Sequence, residues 1–278
     1  MDELRDRLAG LEEGRRPTRR RRRSRRPATL AELGGVVRDD GVLVVERRAE
    51  LLVGREEADL HGAFGAACGQ RATDLDSEIG ALLADPEGAL FVDTETTGLA
   101  GSMVFLLGTM QVLPDGMLLR QVFARDYREE AALLSKWTEK LEQARLLVSF
   151  NGKSFDLPVL RDRLGYHRIA PPEEPAHVDL LHHARRRWVG VLPDCRLQTL
   201  EWHLCGRRRV GDIPGEEIPG VYHHFVRTGA TSDILNVFHH NALDLITLAG
   251  LALKLAEAEE GKASAAPEGR PAEVREEE

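Results

Sequence analysis

The chain has 278 residues, of which 42% are hydrophobic and 30% charged, and its formal net charge at pH 7 is −8. This length and composition are typical of a globular protein with one large domain or two small ones. No apolar run approaches the roughly 20 residues of a membrane-spanning helix, and the N-terminus lacks the apolar segment of a secretory signal. The three cysteines, Cys68, Cys195 and Cys205, show no metal-binding spacing. We therefore expect a reduced, cytoplasmic protein.

Charge is unevenly distributed along the chain. Residues 15–26 read RRPTRRRRRSRR and contain nine arginines and no acid, whereas the segment 257–278 has eight acids and three basic residues. A basic segment on an acidic body is typical of proteins that bind a polyanion, while a solvated tail without a partner has the same composition. We predict a disordered arginine-rich arm at 1–27 and a disordered acidic tail at 257–278.

Apolar patterning becomes regular only from residue 88. The preceding segment, 28–87, includes VLVVERRAELLV, which predicts a strand or two, but its Gly- and Ala-rich part has no clear period. We treat it as an N-terminal extension without a defined structure. ALFVD at 89–93 predicts a buried strand. The apolar runs 103–113 and 117–124 flank a Pro-Asp-Gly turn signal, so these three runs predict consecutive antiparallel strands.

The remainder alternates between helical patterns and one short apolar run. REEAALLSKWTEKLEQA (128–144) has apolar residues at helical spacing and acids in its first turn, as a helix start prefers. ARLLVSF (144–150) predicts a buried strand, and the next helix is expected to close at Gly165. Three further helical patterns follow, HVDLLHHARRRW, RLQTLEWHLCG and HHNALDLITLAGLALKLAEAEE. The order of elements predicts an α/β fold with a mixed sheet covered by helices.

Two acids end the strand that begins at ALFVD. The stretch FVDTETTGL places Asp93 and Glu95 two residues apart, and alternate side chains of a strand lie on the same face. Two ionised carboxylates buried together are unfavourable unless a cation neutralises them. Their hard oxygens suit magnesium or manganese, although two acids at a solvent-exposed strand end would need no metal.

Two later segments also place acids beside or within an apolar strand or helix. NGKSFDLPVL places Asn151 and Asp156 just after the predicted strand ARLLVSF. FHHNALDLITL places Asp244 on the apolar final helix, four residues after His240 and five after His239. An aspartate among leucines and an isoleucine is either a helix-surface acid or one turned toward a functional site.

The order of these motifs resembles a known enzyme family. DxE, then NxxxFD, then a histidine shortly before a helical aspartate is similar to the DEDD superfamily of 3′–5′ exonucleases, which have an RNase H-like fold. The segments HVDLLH, CRLQTLE, DIPGEEIP and HHNALD resemble more specifically the YprB-type ribonuclease H-like domain. The resemblance covers 88–256. It implies an RNase H-like mixed sheet, three antiparallel strands and then parallel strands, flanked by helices.

By this resemblance, four acids form a catalytic metal site. Asp93, Glu95, Asp156 and Asp244 are expected to hold two Mg²⁺ or Mn²⁺ ions about 3.5–4 Å apart, which clamp the scissile phosphate. One ion would generate hydroxide from bound water, and the other would stabilise the leaving 3′ oxygen. We predict a metal-dependent nuclease, a hydrolase of ester bonds that acts on DNA or RNA, and in particular a 3′–5′ exonuclease.

The family also implies a histidine or tyrosine that orients and deprotonates the water, a role suited to a pKa near neutrality. Members with histidine place it five residues before the last aspartate, which selects His239. Members with tyrosine place it four residues before, which selects His240. The HN pair of YprB-like domains favours His240 as the catalytic base, and the other histidine is then expected to cap or pack.

Three further polar residues are weaker candidates. Asn151 contacts the substrate backbone or only shapes its turn. Asp179, in HVDLL, supports the site from a second layer or caps a helix. The segment RVGDIPGEEIPG predicts a loop, and Asp212 is a candidate anchor of that loop.

Two rival functions fit the same motifs. A structure-specific endonuclease uses the same two-metal chemistry, and a nucleic-acid-binding module that no longer cleaves would share the fold. The four intact acids count against the second rival. Only 5% of residues are aromatic, so no base-stacking motif separates DNA from RNA as the substrate. We expect nucleic acid as the partner and no association with a membrane.

Overall fold

The protein is described here by a computed structural model, which covers residues 30, 34–38, 41–52, 60–70, 77–98 and 101–265. The predicted arginine-rich arm lies outside these residues. The final helix continues to Ala265, so the first part of the predicted acidic tail is helical rather than disordered, and the rest lies outside the description. Among the described helices, none combines the length and the apolar composition that crossing a membrane requires.

The described residues form one seven-stranded sheet with the order β1-β2-β5-β4-β3-β6-β7. The strands are β1 (Val36–Val37), β2 (Leu43–Arg48), β3 (Ala89–Thr96), β4 (Val104–Leu113), β5 (Gly116–Phe123), β6 (Leu146–Ser149) and β7 (Ala176–Asp179). All pairs from β1 across to β3 are antiparallel, and β3-β6 and β6-β7 are parallel. The predicted fold class, three consecutive antiparallel strands followed by parallel strands, is confirmed.

Helices flank this sheet. They are α1 (Leu60–Gln70), α2 (Ser77–Ala84), α3 (Glu130–Leu141), α4 (Asp156–His167), α5 (Leu180–Trp188), α6 (Leu197–Cys205), α7 (Ile218–Thr228) and α8 (Ser232–Ala265). Helix α4 ends two residues later than Gly165, where its closure was expected. Its C-cap is Arg168 in the left-handed conformation.

Strand β3 lies inside the sheet, between antiparallel β4 and parallel β6. Its side chains alternate between two buried apolar clusters, with Leu90 and Val92 in one and Phe91 in the other. Because strand side chains alternate between faces, Asp93 and Glu95 continue the row of Phe91. The strand therefore brings both acids to one face, as expected, and a register shift follows immediately after Glu95.

Helix α8 connects the two apolar clusters. Phe238, in its first part, packs with the cluster of β3 residue Leu90, and Leu245, further along, packs with the other cluster. Between them, the side chain of Asn241 lies directly on Gly108 of β4. A Cβ added at Gly108 would lie 2.2 Å from Asn241 Oδ1, so this glycine permits the close approach of the helix to the sheet.

The N-terminal extension contributes to the same sheet and core. Strand β2 pairs with β5 along its whole length, Leu43–Arg48. Phe64 of α1 and Leu82 of α2 are fully buried in the cluster of Phe91, and the rings of Phe64 and Phe91 meet edge to face with centroids 6.1 Å apart. The sequence predicted the strand but missed the helices, because the small residues of LHGAFGAACGQ form no periodic apolar face.

The contact between Gly108 and Asn241 generates a stability prediction. We expect Gly108→Ala to lower the free energy of unfolding by about 1–3 kcal/mol, the usual cost of overpacking, because Asn241 and its helix must move away from the sheet. The matched control is Gly165→Ala in α4, where an added Cβ would have no atom within 4 Å apart from its chain neighbours and the backbone of its own helix.

Alanine in that exposed helical position should instead raise the unfolding free energy by about 0.5–1 kcal/mol. Chemical denaturation followed by circular dichroism measures both variants. A Gly108→Ala protein as stable as the wild type would contradict the close packing of α8 on β4.

Candidate active site

Asp93 is held in place by the final helix. Its Oδ2 accepts a hydrogen bond of 2.7 Å from Asn241 Nδ2, which also lies 3.2 Å from the main-chain oxygen of Asp93. Asn241 is completely buried. An amide on α8 therefore fixes both the side chain and the backbone of β3 at the point where the strand leaves the apolar core.

A chain of buried amides extends behind this contact. Gln121 Nε2, on β5, donates to Asn241 Oδ1 at 2.8 Å and to the main-chain oxygen of Phe238 at 2.7 Å. Arg47 Nη2, on β2, donates to Gln121 Oε1 at 3.0 Å. The orientation of the Asp93 carboxylate is thus connected, through two side-chain amides, to a strand of the N-terminal extension.

Sequence reasoning did not assign Asn241 or Gln121 a role at the site. For Asn241 there was a signal, since an asparagine inside an apolar helical pattern needs a buried hydrogen-bond partner. For Gln121 the signal was weaker, because a polar residue in MLLRQVFA is also consistent with ordinary strand alternation.

Asp156 comes from the connection between β6 and α4. Its Oδ1 accepts two hydrogen bonds from Thr94, 2.6 Å from Oγ1 and 3.1 Å from the main-chain nitrogen. Since Thr94 lies between Asp93 and Glu95 on β3, these bonds attach the start of α4 to the strand that carries the first two acids.

The turn that leads to Asp156 is fixed by Asp179. Asn151 has a φ of +64°, a left-handed conformation that asparagine tolerates better than most residues. The buried Asp179 carboxylate accepts hydrogen bonds from the main-chain nitrogens of Asn151 (2.7 Å) and Lys153 (3.1 Å), and also caps α5 through Leu181 (3.1 Å). Asp179 is therefore both a helix cap and a support for the turn, and Asn151 shapes that turn.

Asp244, on α8, faces an arginine that the sequence analysis did not single out. Arg209 Nη2 donates to Asp244 Oδ1 at 2.5 Å, and Arg209 Nε donates to Glu201 Oε2 at 2.6 Å. Arg209 Nη1 lies 3.1 Å from Asp212 Oδ2. The RRR run at 207–209 has the composition of a solvated loop, so its sequence gave no sign that one member is buried among three acids.

The two candidate histidines differ in their surroundings. His239 is exposed, whereas His240 is buried, with Nδ1 2.9 Å from Asp212 Oδ2 and Nε2 3.4 Å from Asp244 Oδ2. Burial opposes protonation of His240, but the hydrogen bond to Asp212 and the charges of Asp244 and Glu95 outweigh it and raise its pKa. Asp212 thus anchors the imidazole as well as its own loop.

Three acids of this region have raised pKa values. Burial is the first cause of a raised pKa for Asp93, Glu95 and Asp156, and the pKa values of Glu95 and Asp156 reach about 8 and about 6. Repulsion by Asp244, Glu95 and Asp156 raises the pKa of Asp93 further. Repulsion by Asp244 also raises the pKa of Glu95, against the opposing charge of His240. The structure thus brings the four predicted acids into one electrostatic cluster.

The carboxylate oxygens of the cluster are ligands that magnesium and manganese prefer, but they are not arranged as a complete coordination site. Within the described residues, no three His, Cys, Asp or Glu side chains form a ready metal-holding group. One oxygen each of Asp93, Asp156 and Asp244 is engaged by Asn241, Thr94 and Arg209 respectively. The side-chain carboxylate of Glu95 accepts no hydrogen bond from the described residues. Hard oxygens whose pKa values are raised by burial and mutual repulsion fit a divalent cation.

A cleft of about 480 Å³ opens beside these acids. Its lining includes Asp93, Thr94 and Asp156 as well as Phe155 and Pro158 at the start of α4. Phe155 is 60% exposed to solvent. Of the four acids, Asp93 and Asp156 therefore line a partly apolar cleft.

Comparison with known proteins identifies the family. A model of the RNase H superfamily matches residues 90–256. The chain is 37% identical over 166 residues to a protein of Bacillus subtilis (strain 168) named "Uncharacterized protein YprB", with 58% of this chain and 40% of that protein covered. This chain thus spans less than half the length of that relative.

Among solved structures, the family B DNA polymerase from the hyperthermophilic archaeon Pyrobaculum calidifontis aligns with a TM-score of 0.48 and 19% identity, over 60% of this chain and 24% of the polymerase. The superfamily model covers more than half of the chain, and its match includes β3 and the start of α8. The chain therefore belongs to the RNase H superfamily, as a YprB-type ribonuclease H-like domain, and this membership supports a nuclease.

Proposed function

We propose that the protein is a metal-dependent 3′–5′ exonuclease of the DEDD type that hydrolyses phosphodiester bonds of nucleic acid. The observation that carries the proposal is the meeting of Asp93, Glu95, Asp156 and Asp244. They come from three separate segments of the chain. Burial raises the pKa of Asp93, Glu95 and Asp156, and repulsion within the cluster raises it further at Asp93 and Glu95. A folded chain gains no stability from such an arrangement, so a cationic ligand is the simplest reason for it.

These four acids would hold two Mg²⁺ or Mn²⁺ ions. When bound, the ions would lower the pKa of an attacking water and neutralise charge that develops on the phosphate and the leaving oxygen. The chain's own contribution is to hold the acids in position: Asn241 orients Asp93, and Thr94 orients Asp156. The Glu95 carboxylate, to which no described residue donates a hydrogen bond, is left for a ligand.

His240 is proposed as the general base. Asp212 accepts a hydrogen bond from Nδ1 of His240. Nε2 of the same ring is then directed toward Asp244 and is available to take a proton from water. A pKa raised by this partner makes the imidazole a stronger base. The exposed position of His239 supports the choice of His240 over its neighbour.

The cleft beside the acids is proposed to receive the terminal nucleotide. Its volume of about 480 Å³ is within the usual range for small-ligand sites, and the exposed ring of Phe155 offers a face on which an unpaired base can stack. Such stacking tolerates any base, so the proposal leaves the choice between DNA and RNA to experiment.

The first test is a cleavage assay with end-labelled single- and double-stranded DNA and RNA, with and without manganese. We expect a ladder of products shortened from the 3′ end that requires the metal. A single internal cut would instead identify a structure-specific endonuclease, and binding without any cleavage would identify a non-catalytic binding module.

Asp93→Asn is the matched variant for this assay. We expect it to abolish cleavage and to remove the rise in thermal unfolding temperature that manganese gives the wild type, because ligands that bind the folded state raise its stability. Asp115→Asn, which alters an exposed ion pair with Arg48 at the β4–β5 turn, should retain both properties. A wild type that manganese does not stabilise would rule out the metal site.

The assignment of the base predicts unequal effects at the two histidines. His240→Ala is expected to lower the cleavage rate by roughly 10²–10⁴-fold, the usual contribution of a general base, while manganese still raises the unfolding temperature. His239→Ala should change the rate little. A large loss at His239 and a small one at His240 would reverse the assignment, and small losses at both would leave the mechanism without its base.

The raised pKa of Glu95 predicts a pH dependence of stability in the metal-free protein. Burial raises this pKa from 4.5 to about 8, so the folded state binds the proton more tightly than the unfolded chain does. The resulting stability is complete below pH 4.5 and is lost as the pH rises through about 8.

As the pH rises from 4.5 to about 8, we expect the unfolding free energy of the wild type to fall further than that of Glu95→Gln. The difference should be at least about 1.4 kcal/mol, the equivalent of one pKa unit. Chemical denaturation in the presence of a chelator measures the difference. Parallel curves for the two proteins would show that Glu95 does not titrate in this range.

A further inference from the structure

We infer that Arg209 is a built-in counter-cation of the carboxylate cluster, which holds Asp244 in the metal-free protein and competes with divalent ions for that carboxylate. The inference rests on the proposed metal site and concerns what controls its affinity. It makes Arg209 a positioning residue whose removal should strengthen metal binding rather than weaken it.

The geometry of Arg209 is specific. Its three guanidinium nitrogens each contact a different acid: Nε lies 2.6 Å from Glu201, Nη1 lies 3.1 Å from Asp212, and Nη2 lies 2.5 Å from Asp244. Only 5% of the side chain is exposed. A guanidinium that contacts three carboxylates balances part of their negative charge. A single ion pair would have been enough to anchor the loop.

Glu201 fixes the guanidinium from behind. This acid is buried on α6, and its second oxygen accepts a hydrogen bond of 2.8 Å from Arg207 Nη1, which also lies 3.2 Å from Thr247 Oγ1 on α8. Arg209 is therefore held between a neutralised acid on α6 and the acids of the cluster. Its position depends on two helices that pack against each other.

Competition follows from the contacts of Asp244. One oxygen is taken by Arg209 and the other lies 3.4 Å from His240 Nε2. A divalent ion that binds Asp244 must either displace the Arg209 guanidinium from Oδ1 or remain close to its positive charge. Either outcome lowers the affinity of the site, because charge-assisted hydrogen bonds are about twice as strong as neutral ones.

A purely structural role predicts the opposite sign. If Arg209 only attached its loop to α8, its loss would free the loop, loosen Asp244 and weaken metal binding. The direction of the change in metal affinity therefore separates the two roles.

The experiment uses a background in which the buried acid is neutralised. Glu201→Gln removes the charge that a missing arginine would leave unpaired, since an uncompensated buried charge is strongly destabilising. In this background, Arg209→Gln removes the contact with Asp244, while Arg207→Gln removes the arginine that contacts Glu201 and Thr247. Both double variants thus lose one positive charge next to residue 201, but only the loss of Arg209 removes the contacts with Asp212 and Asp244.

Titration calorimetry with manganese gives the readout, and circular dichroism confirms that each protein is folded. We expect the Glu201→Gln/Arg209→Gln protein to bind manganese roughly tenfold more tightly than Glu201→Gln alone, the change that follows from removing one hydrogen bond to a charged group. Glu201→Gln/Arg207→Gln should differ from Glu201→Gln by less than about threefold, since an ion pair without direct contact is screened.

Equal affinities in the two double variants, or weaker binding on loss of Arg209, would overturn the inference and leave the metal site itself intact. If no protein binds manganese, including the wild type, the inference falls together with the proposed metal site. Should the Arg209→Gln double variant fail to fold, Arg209→Lys in the same background retains the charge on a shorter side chain with one nitrogen, which cannot occupy the three positions of the guanidinium nitrogens and is expected to lose the one at Asp244. The inference then requires manganese binding tighter than in Glu201→Gln alone, and equal or weaker binding would overturn it.

Discussion

The repulsion among four partly buried carboxylates is the constraint on which the rest of this site depends. Each of three acids is held by a donor from another element: Asn241 on α8 holds Asp93, Thr94 on β3 holds Asp156, and Arg209 in the loop after α6 holds Asp244. None of these donors is on the same element as the acid it holds. The contacts that orient the acids are therefore also contacts that join the sheet to its helices, so the geometry of the site cannot change without a change in how α4 and α8 pack on β3.

The polar contacts behind Asp93 show how far this dependence extends. Gly108 lets α8 approach the sheet, Asn241 fills the space, and Gln121 satisfies the second half of its amide. Arg47, in turn, contacts Gln121 from the N-terminal extension. Buried amides are stabilising only when every donor and acceptor finds a partner. The extension is therefore connected to the orientation of Asp93 as well as to the apolar core, although the superfamily match begins only at residue 90.

The sequence predicted those parts of the site that depend on local geometry. Strand alternation was enough to put Asp93 and Glu95 on one face, and an α/β order was enough to predict a mixed sheet. The roles of Arg209, Glu201 and Asn241 depend on which residue of a loop or helix meets which residue of a distant element, and a single sequence has no pattern for that. Helices α1 and α2 were missed for a related reason, because their buried residues are few and are stabilised by packing on Phe91 rather than by a periodic face of their own.

These contacts explain how the protein can fold without the metal ions proposed for this site. An acidic cluster of this kind destabilises the folded state, since at neutral pH the unfolded chain would ionise the same groups freely in water. Three features of the chain reduce that cost: protonation of Glu95, whose pKa is about 8, hydrogen bonds to Asp93 and Asp156, and the fixed positive charge of Arg209. In the proposed metal site, a divalent ion would have to displace the proton of Glu95 and overcome the positive charge of Arg209. These two features would then set a lower limit on the ion concentration at which the site fills. The proposal therefore implies that stability without metal and affinity for metal are opposed at Asp244 and Glu95.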